Sequence, residues 1–388
     1  MSDFLQILTP ALLAMLGTFW IHPKILKISI MKNIVDNPDA RKLQRNPVPV
    51  MGGVAVYFGI LVGLCSSQMM YNSPSVFMLT AAMLVMLYIG TIDDILNLSP
   101  TIRFVIEIII VSWLMYTNQA SINNFWGTWG VDVIPTWIAI PLTIVASVGI
   151  INAINLIDGV NGLSSGFCFM ASVLFATIFY NSDNLIMTII AVSAAGAIIP
   201  FFLHNVFGYK TKMFIGDGGT LVMGIIMSMF VISILKEDSD CAHYATNGMN
   251  PIAFSLAVLS IPVFDTIRVM SSRIMRGTSP FSPDKSHLHH LFIELGFSHT
   301  GTTVSILSIN LLVVASWFLS YKLGASKDIQ LYIVLTLSIL VTFVFYKYAS
   351  IKMKKDGKTL VFFKKIAKTM NFEKKGFWLK VQNNIDKI

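Results

Sequence analysis

The chain has 388 residues, of which 55% are hydrophobic and only 12% charged, and its formal net charge is +8. Soluble domains carry about 25% charged residues, so an ordinary water-soluble protein is excluded and a polytopic membrane protein is indicated. Apolar stretches of about 17–25 residues can cross a bilayer as helices. In chain order they fall at 4–22, 50–70, 76–93, 102–119, 132–151, 164–180, 185–204, 218–235, 251–270, 302–321 and 328–347. The expected architecture is all-α, with about eleven transmembrane helices. It forms one multi-span membrane domain over 1–350, and a basic, aromatic tail over 351–388. The first stretch lacks a basic leader and a small-residue cleavage site, so it is expected to be retained as a span.

Polar, charged and glycine residues gather in five islands, at 36–53, 93–103, 152–162, 204–220 and 268–290. Two spans fit between each island and the next, so all five reach the same membrane face. All but three of the 28 Lys and Arg lie on that side, the exceptions being Lys236, Lys322 and Lys327. Basic residues are enriched in cytoplasmic loops. The islands and the C-terminus are therefore expected in the cytoplasm and the N-terminus outside.

Each island carries chemistry. Asp93 and Asp94 end a hydrophobic span, where acids are costly and suggest function. Adjacent acids repel, which favours a bound cation or a raised pKa in one partner. Asn152, Asn155, Asp158 and Asn161 recur every three residues and share one helical face, with Gly159 and Gly162 beside them. Asp217 lies in a Gly-Asp-Gly-Gly run that opens the next span. Its hard oxygens, with positions left open for phosphate, suit Mg²⁺. Arg268, Arg273 and Arg276 lead into a loop holding Lys285, His287, His289 and His290. Arginine matches phosphate geometry, and histidines donate to phosphate oxygens or relay protons. The spacing offers no cysteine partner and no histidine pair four apart, which argues against zinc.

These five pieces, in this order, resemble the polyprenyl-phosphate N-acetylhexosamine-1-phosphate transferases, bacterial inner-membrane enzymes that start envelope polysaccharides such as teichoic acid or O-antigen. The resemblance covers nearly the whole chain to about residue 300. The spaced His-x-His-His after Pro-Phe-Ser-Pro-Asp looks like the branch using UDP-GlcNAc and undecaprenyl phosphate. The resemblance implies that the lipid phosphate attacks the sugar-linked phosphorus and UMP leaves. It implies that Asp217 and Asn155 ligate Mg²⁺, with Mn²⁺ an alternative. Asp93, Asp94, Asp158, Arg273, His287, His289 and His290 would be catalytic. Lys42, Arg45, Arg103, Asn152, Asn161, Phe214, Arg276 and Lys285 would bind substrate, Phe214 by stacking on uracil. Asn161 stands where a second aspartate is common in bacterial relatives, and Gln44 where a histidine is frequent.

Two further readings stand beside this one. Another UDP-N-acetylhexosamine (GalNAc, FucNAc or QuiNAc) is an alternative donor. A transporter or flippase would instead favour midplane sites and inverted repeats, and the chain shows no repeat. From residue 347 to the end there are 12 lysines interleaved with aromatics. That pattern fits a segment resting on anionic lipid or a solvated tail with no catalytic role, and nucleic acid is not an expected partner. Cys65, Cys168 and Cys241 suggest neither a disulfide framework nor a metal site. A homodimer is compatible with the family.

Overall fold

A computed structural model describes residues 3–38, 46–71, 73–280, 284–354, 358–374 and 376–387. Lys42 and Arg45, expected to bind substrate, lie outside these residues, as does Gln44. The first half is built from α1 (Asp3–Met31), α2 (Gly52–Cys65), a single turn α3 (Gln68–Tyr71), α4 (Pro74–Leu96) and α5 (Pro100–Asn118). Then come α6 (Thr136–Leu156), α7 (Leu163–Asn181), α8 (Leu185–Phe207) and α9 (Gly216–Leu235). The second half adds the short α10 (Ala242–Thr246), α11 (Pro251–Val258), α12 (Ser260–Met275), α13 (Leu288–Glu294) and α14 (His299–Lys322). Last are α15 (Lys327–Ile339), which runs through a π-helical stretch into α16 (Tyr346–Lys354), then α17 (Lys358–Thr369) and α18 (Gly376–Ile385). Proline sits in the first turn of α4 and α5, where its missing N–H costs nothing, and left-handed Asn97 and Gln119 close the same two helices.

Among the described residues, nine helices are long and apolar enough to span, or ten if α11 and α12 count as one bent span. This count does not confirm the expected eleven. The stretch at 50–70 yields only the 14-residue α2, about 21 Å at 1.5 Å per residue. That is short of the roughly 30 Å hydrocarbon core. The chain breaks between α2 and α3, and α2 packs against α1 and α8 within the bundle. The stretch at 251–270 bends by 76° between α11 and α12. Asn310 of α14 satisfies the broken backbone there. Its amide donates to the Val258 carbonyl at 3.0 Å and its oxygen accepts from Ile261 N at 3.1 Å. Without such a partner, orphaned backbone groups in a membrane interior would cost several kcal/mol each.

Helix α9 is the axis of the bundle. Its apolar sequence is buried on every side, mainly by α4, α6 and α2. An aromatic layer of Phe175, Phe179, Phe230 and Phe254 packs with ring centroids 5.3 to 6.3 Å apart. A helix that is hydrophobic all round is expected to be buried, and this one carries Asp217 at its polar end.

Two small hairpins mark opposite ends of α9. Strands β1 (Val35–Asp36) and β2 (Val48–Pro49) pair antiparallel. The chain beyond β2 is stitched to the start of α9 by Phe214 N to Pro49 O at 2.7 Å and Gly53 N to Ile215 O at 2.7 Å. At the far end β3 (Asn124–Thr128) and β4 (Val131–Val133) form the second hairpin, tied to α9 by Asn123 N to Leu235 O at 3.1 Å.

The basic tail is not set apart from the body. Trp378 of α18 is buried and stacks 4.4 Å from Phe207 at the end of α8. Glu373 accepts from the Thr300 hydroxyl and N–H at the start of α14, and Asp386 binds the loop after α8. Meanwhile Phe362 and Phe377 remain exposed, so apolar surface is left to the outside.

Candidate active site

Three acids meet one cation. Arg103 of α5 places Nη1 3.0 Å from Asp93 Oδ2 and 3.0 Å from Asp217 Oδ2, with Nε 3.6 Å from Glu107 Oε1. Glu107 is buried one turn along α5 and accepts from Asn152 Nδ2. Asp93 also closes α4 by accepting from Leu98 N at 2.7 Å. Asp94 turns the other way and accepts from Asp217 N at 3.1 Å. A carboxylate there satisfies orphan N–H groups and meets the positive end of the helix dipole. Gly216, at φ +69°, makes this contact possible, since a Cβ would collide with Asp94. Asn155 completes the cluster by donating to Asp217 Oδ1 at 2.7 Å and Thr220 Oγ1 at 2.9 Å.

A histidine group lines the same cavity. His287 places Nδ1 2.9 Å from Asp265 Oδ2. An ionised carboxylate only accepts, so Nδ1 carries the proton and the buried Nε2, which has no protein partner, is the free position. Asp265 also accepts from Arg268 Nη2 at 2.6 Å and from Leu288 N at 3.2 Å. Arg268 in turn lies 3.6 Å from the Tyr346 ring. His289 stacks 5.7 Å from His287 and lies 4.2 Å from His290. It also abuts Gly159, where a Cβ would strike its ring, so the third and fifth islands touch. Burial first, then His287 and Lys285, pull His290 down to about 4, and burial with the other two histidines holds His289 well below its ordinary value. Both rings are therefore neutral near pH 7 and act as hydrogen-bonding groups.

Both groups line a single cavity of about 1220 Å³. All five islands reach it, through Asp36, Asp93, Asp158, Asp217 and His287 among others. Its walls include the expected Asp94, Asn155, Asn161, Phe214, Arg273, His289 and His290. Asp158 accepts from Ser164 Oγ, and burial outweighs that bond to raise it to about 7, with Asp217 adding to the rise. Arg103 and Asn152 stand behind the acids rather than in the wall, so their first partners are carboxyl groups of the protein. Arg273 is engaged by its own loop, donating to Pro280 O at 2.6 Å and to Asp284 at 3.1 Å. Arg276 is exposed and shares Asp284. Burial raises Asp284, but Arg273 and Ser286 outweigh it and hold the carboxyl far below the usual range. Lys285 is exposed beside them.

Several wall or support residues were not among the expected ones. Lys210, Lys212, Asn205 and His299 face the cavity. Asn205 ties Gly162 N (2.7 Å) to Met213 O (2.8 Å) and so joins the third island to the fourth. Asp265 and Glu107 had a signal that could have found them, being acids inside apolar stretches.

The oxygen-rich donors Asp217, Asp93 and Asn155 fit Mg²⁺. Three carboxyl groups surround one guanidinium, and hard oxygen donors are what Mg²⁺ takes. Among the described residues, no three His, Cys, Asp or Glu side chains form a metal-holding group by themselves.

The sequence profile of Glycosyl transferase family 4 matches residues 76–235, which carry α4 to α9 and the whole acid cluster. A probable undecaprenyl-phosphate N-acetylglucosaminyl 1-phosphate transferase of Bacillus subtilis is 28% identical over 76% of this chain and 79% of its own length. The undecaprenyl-phosphate alpha-N-acetylglucosaminyl 1-phosphate transferase of Salmonella typhi is 28% identical over 90% of this chain and 91% of its own. The protein of the same description from Salmonella typhimurium is 31% identical over 70% of this chain and 72% of its own. A shared order of motifs, a profile lying over the acid cluster and this breadth of identity lead to one conclusion: the chain belongs to glycosyl transferase family 4.

Proposed function

We propose that the protein transfers N-acetylglucosamine 1-phosphate from UDP-GlcNAc to undecaprenyl phosphate. One observation carries this reading. Five separate segments close on one cavity whose wall carries carboxyls, histidines and lysines, as an anionic donor and acceptor would require. The names of the relatives supply the two substrates. An oxygen of the lipid phosphate forms a bond to the sugar-linked phosphorus. The bond from that phosphorus to the bridging oxygen breaks, and UMP leaves with the electron pair.

Asp217 and Asn155, beside Asp93, would hold Mg²⁺, which when bound supplies charge neutralisation on the pyrophosphate. The chain's own residues do the rest. Arg103 keeps Asp93 and Asp217 at fixed separation, and Asp94 fixes the first turn of α9 that presents Asp217. His287, oriented by Asp265 through Nδ1–H, leaves Nε2 as an acceptor for a hydroxyl or a protonated phosphate oxygen of the substrates. Phe214 gives the uracil a face on which stacking is worth about 1–3 kcal/mol. The second pKa of a phosphomonoester lies near 6, so the acceptor is largely dianionic at pH 7 and direct displacement needs no obligatory base. The cavity would open at the cytoplasmic leaflet, where both substrates are within reach.

The test uses purified full-length protein, undecaprenyl phosphate, Mg²⁺ and a panel of radiolabelled UDP-N-acetylhexosamines. UMP release with label moving from UDP-GlcNAc into a lipid-extractable pyrophosphate is expected. Preference for an epimer would change the donor, and transfer from no donor by folded protein would end the enzymatic reading.

A further inference from the structure

The loop at 208–215 joins α8 to α9 and presents Lys210, Lys212 and Phe214 to the cavity. Its later part is fixed by the bonds of Phe214 to Pro49 and Gly52. Its earlier part is held by the other end of the chain. Asp386 Oδ1 accepts from Tyr209 N at 3.0 Å, Lys210 N at 3.0 Å, Thr211 N at 3.2 Å and Thr211 Oγ1 at 3.0 Å. Oδ2 accepts from Tyr209 N at 3.2 Å. Three successive N–H groups converging on one oxygen form an anion-binding nest, and here a carboxylate of the same chain fills it. From behind, His22 Nε2 lies 3.1 Å from Thr211 O.

The tail brings a second acid to the same neighbourhood. Glu373 binds Thr300, next to His299 of the cavity wall. Burial lowers the Lys212 ammonium and Glu373 opposes the shift. Trp378, stacked on Phe207, docks α18 one residue before the loop begins. In a tail rich in lysine, both acids among its described residues therefore point at the body.

We infer that α18 is a clamp on the active-site wall, with Asp386 the positioning residue that sets Lys210 and Lys212 to meet the negative charge of the nucleotide donor. Asp386 touches no substrate; it acts through the loop backbone. Without it three adjacent N–H groups and a hydroxyl lose their acceptor, and the loop is free to turn its lysines away from the cavity. The assignment of the donor rests on the proposed function, whereas the clamp itself does not.

The test compares full-length wild type with Asp386→Asn, which changes one atom, and Thr211→Val, which removes one donor from the loop side. Two readouts are taken. Amide hydrogen exchange over 205–213 should quicken in both variants while the core of α9 stays protected. In UMP release, KM for UDP-GlcNAc should rise about tenfold in Asp386→Asn with kcat changed less than about twofold, the pattern of lost uniform binding. In a Lys210→Gln, Lys212→Gln background, Asp386→Asn should add nothing further to KM, because coupled residues are not additive. Unchanged loop exchange, or KM penalties that add in full, would overturn the clamp. If the wild type transfers from no donor, the proposed function falls, and the exchange comparison alone still decides whether the clamp exists.

Discussion

Replacing Asp265 by Asn tests the histidine group most sharply. Asp265 accepts from Arg268 at 2.6 Å, His287 at 2.9 Å and Leu288 at 3.2 Å. An asparagine keeps one oxygen and gains an amide donor. Arg268 carries only donors, so the oxygen must stay with Arg268 and the new NH₂ must face His287. The imidazole can accept that donor only by moving its proton from Nδ1 to Nε2. Nε2 then becomes a fixed neutral donor, unable to take a proton.

Two magnitudes follow. One charge-assisted hydrogen bond is lost while the shape is kept, a cost of about 1.5–3 kcal/mol in stability. If Nε2 exchanges a proton with a phosphate oxygen, kcat falls by about 10²–10⁴ with KM for UDP-GlcNAc little changed. The assay is UMP release beside a thermal midpoint in the same detergent, for Asp265→Asn, His287→Gln and the double variant. Since Asp265 works through His287, the double variant should be no slower than His287→Gln alone. Losses in kcat that multiply across the two sites would refute the reasoning.

Other outcomes can be checked in the same assays. Asp217→Asn should abolish turnover even at high Mg²⁺, and substantial residual UMP release would sink its role. Chelation should silence the wild type reversibly, with Mg²⁺ restoring activity; full activity after exhaustive chelation would remove the metal from the scheme. Gly159→Ala drives a methyl group into His289 and should lower kcat without unfolding the bundle, measured against its thermal midpoint. For pH, His290 is held at about 4 in the fold against an ordinary 6.5, so only the unfolded chain takes a proton between those values. Its contribution to stability is whole above about 6.5 and is lost as pH falls through that window. Asp158, raised to about 7, has the opposite sign, its contribution being lost as pH rises from about 4 to 7. The difference in midpoint between wild type and His290→Gln isolates the first effect and should shrink on acidification. A difference that is constant from pH 8 to 5 would contradict it.

The five islands were legible because acids, amides and glycines interrupting apolar stretches stand out, and because two spans between islands fix a common face. Asp93, Asn155, Asp217 and His287 were found by that reasoning and do share a cavity. What was missed needed tertiary information. Asp265 and His287 are 22 residues apart, and nothing local predicts that α12 and α13 bring them together. Arg103 was expected to hold phosphate, yet its nearest partners are carboxyls of the protein, visible only once α4, α5 and α9 are packed. The expected eleven came from counting hydrophobic length alone, which does not register the break after Cys65. Lysine density in the tail suggested a lipid-facing or solvated segment and concealed the two acids that dock it.

The distribution of polarity along α9 bears on the alternative of transport. A transporter needs a polar site near the bilayer midplane that opens to each side in turn. Here Asp217 and Thr220 occupy the first turns of α9, after which the helix is apolar apart from Ser228 and Ser233. Both of those serines are buried, and Ser228 bonds the Gly224 and Ser147 carbonyls. The half of the bundle beyond Ser228 is filled by Phe175, Phe179, Phe230 and Phe254. A charged substrate crossing there would shed its hydration against phenyl rings with no group to replace it, a cost of several kcal/mol or more. Chemistry at one end of a dry bundle needs no such crossing. The arrangement therefore fits a lipid acceptor that keeps its chain in the membrane and brings only its phosphate to the cavity.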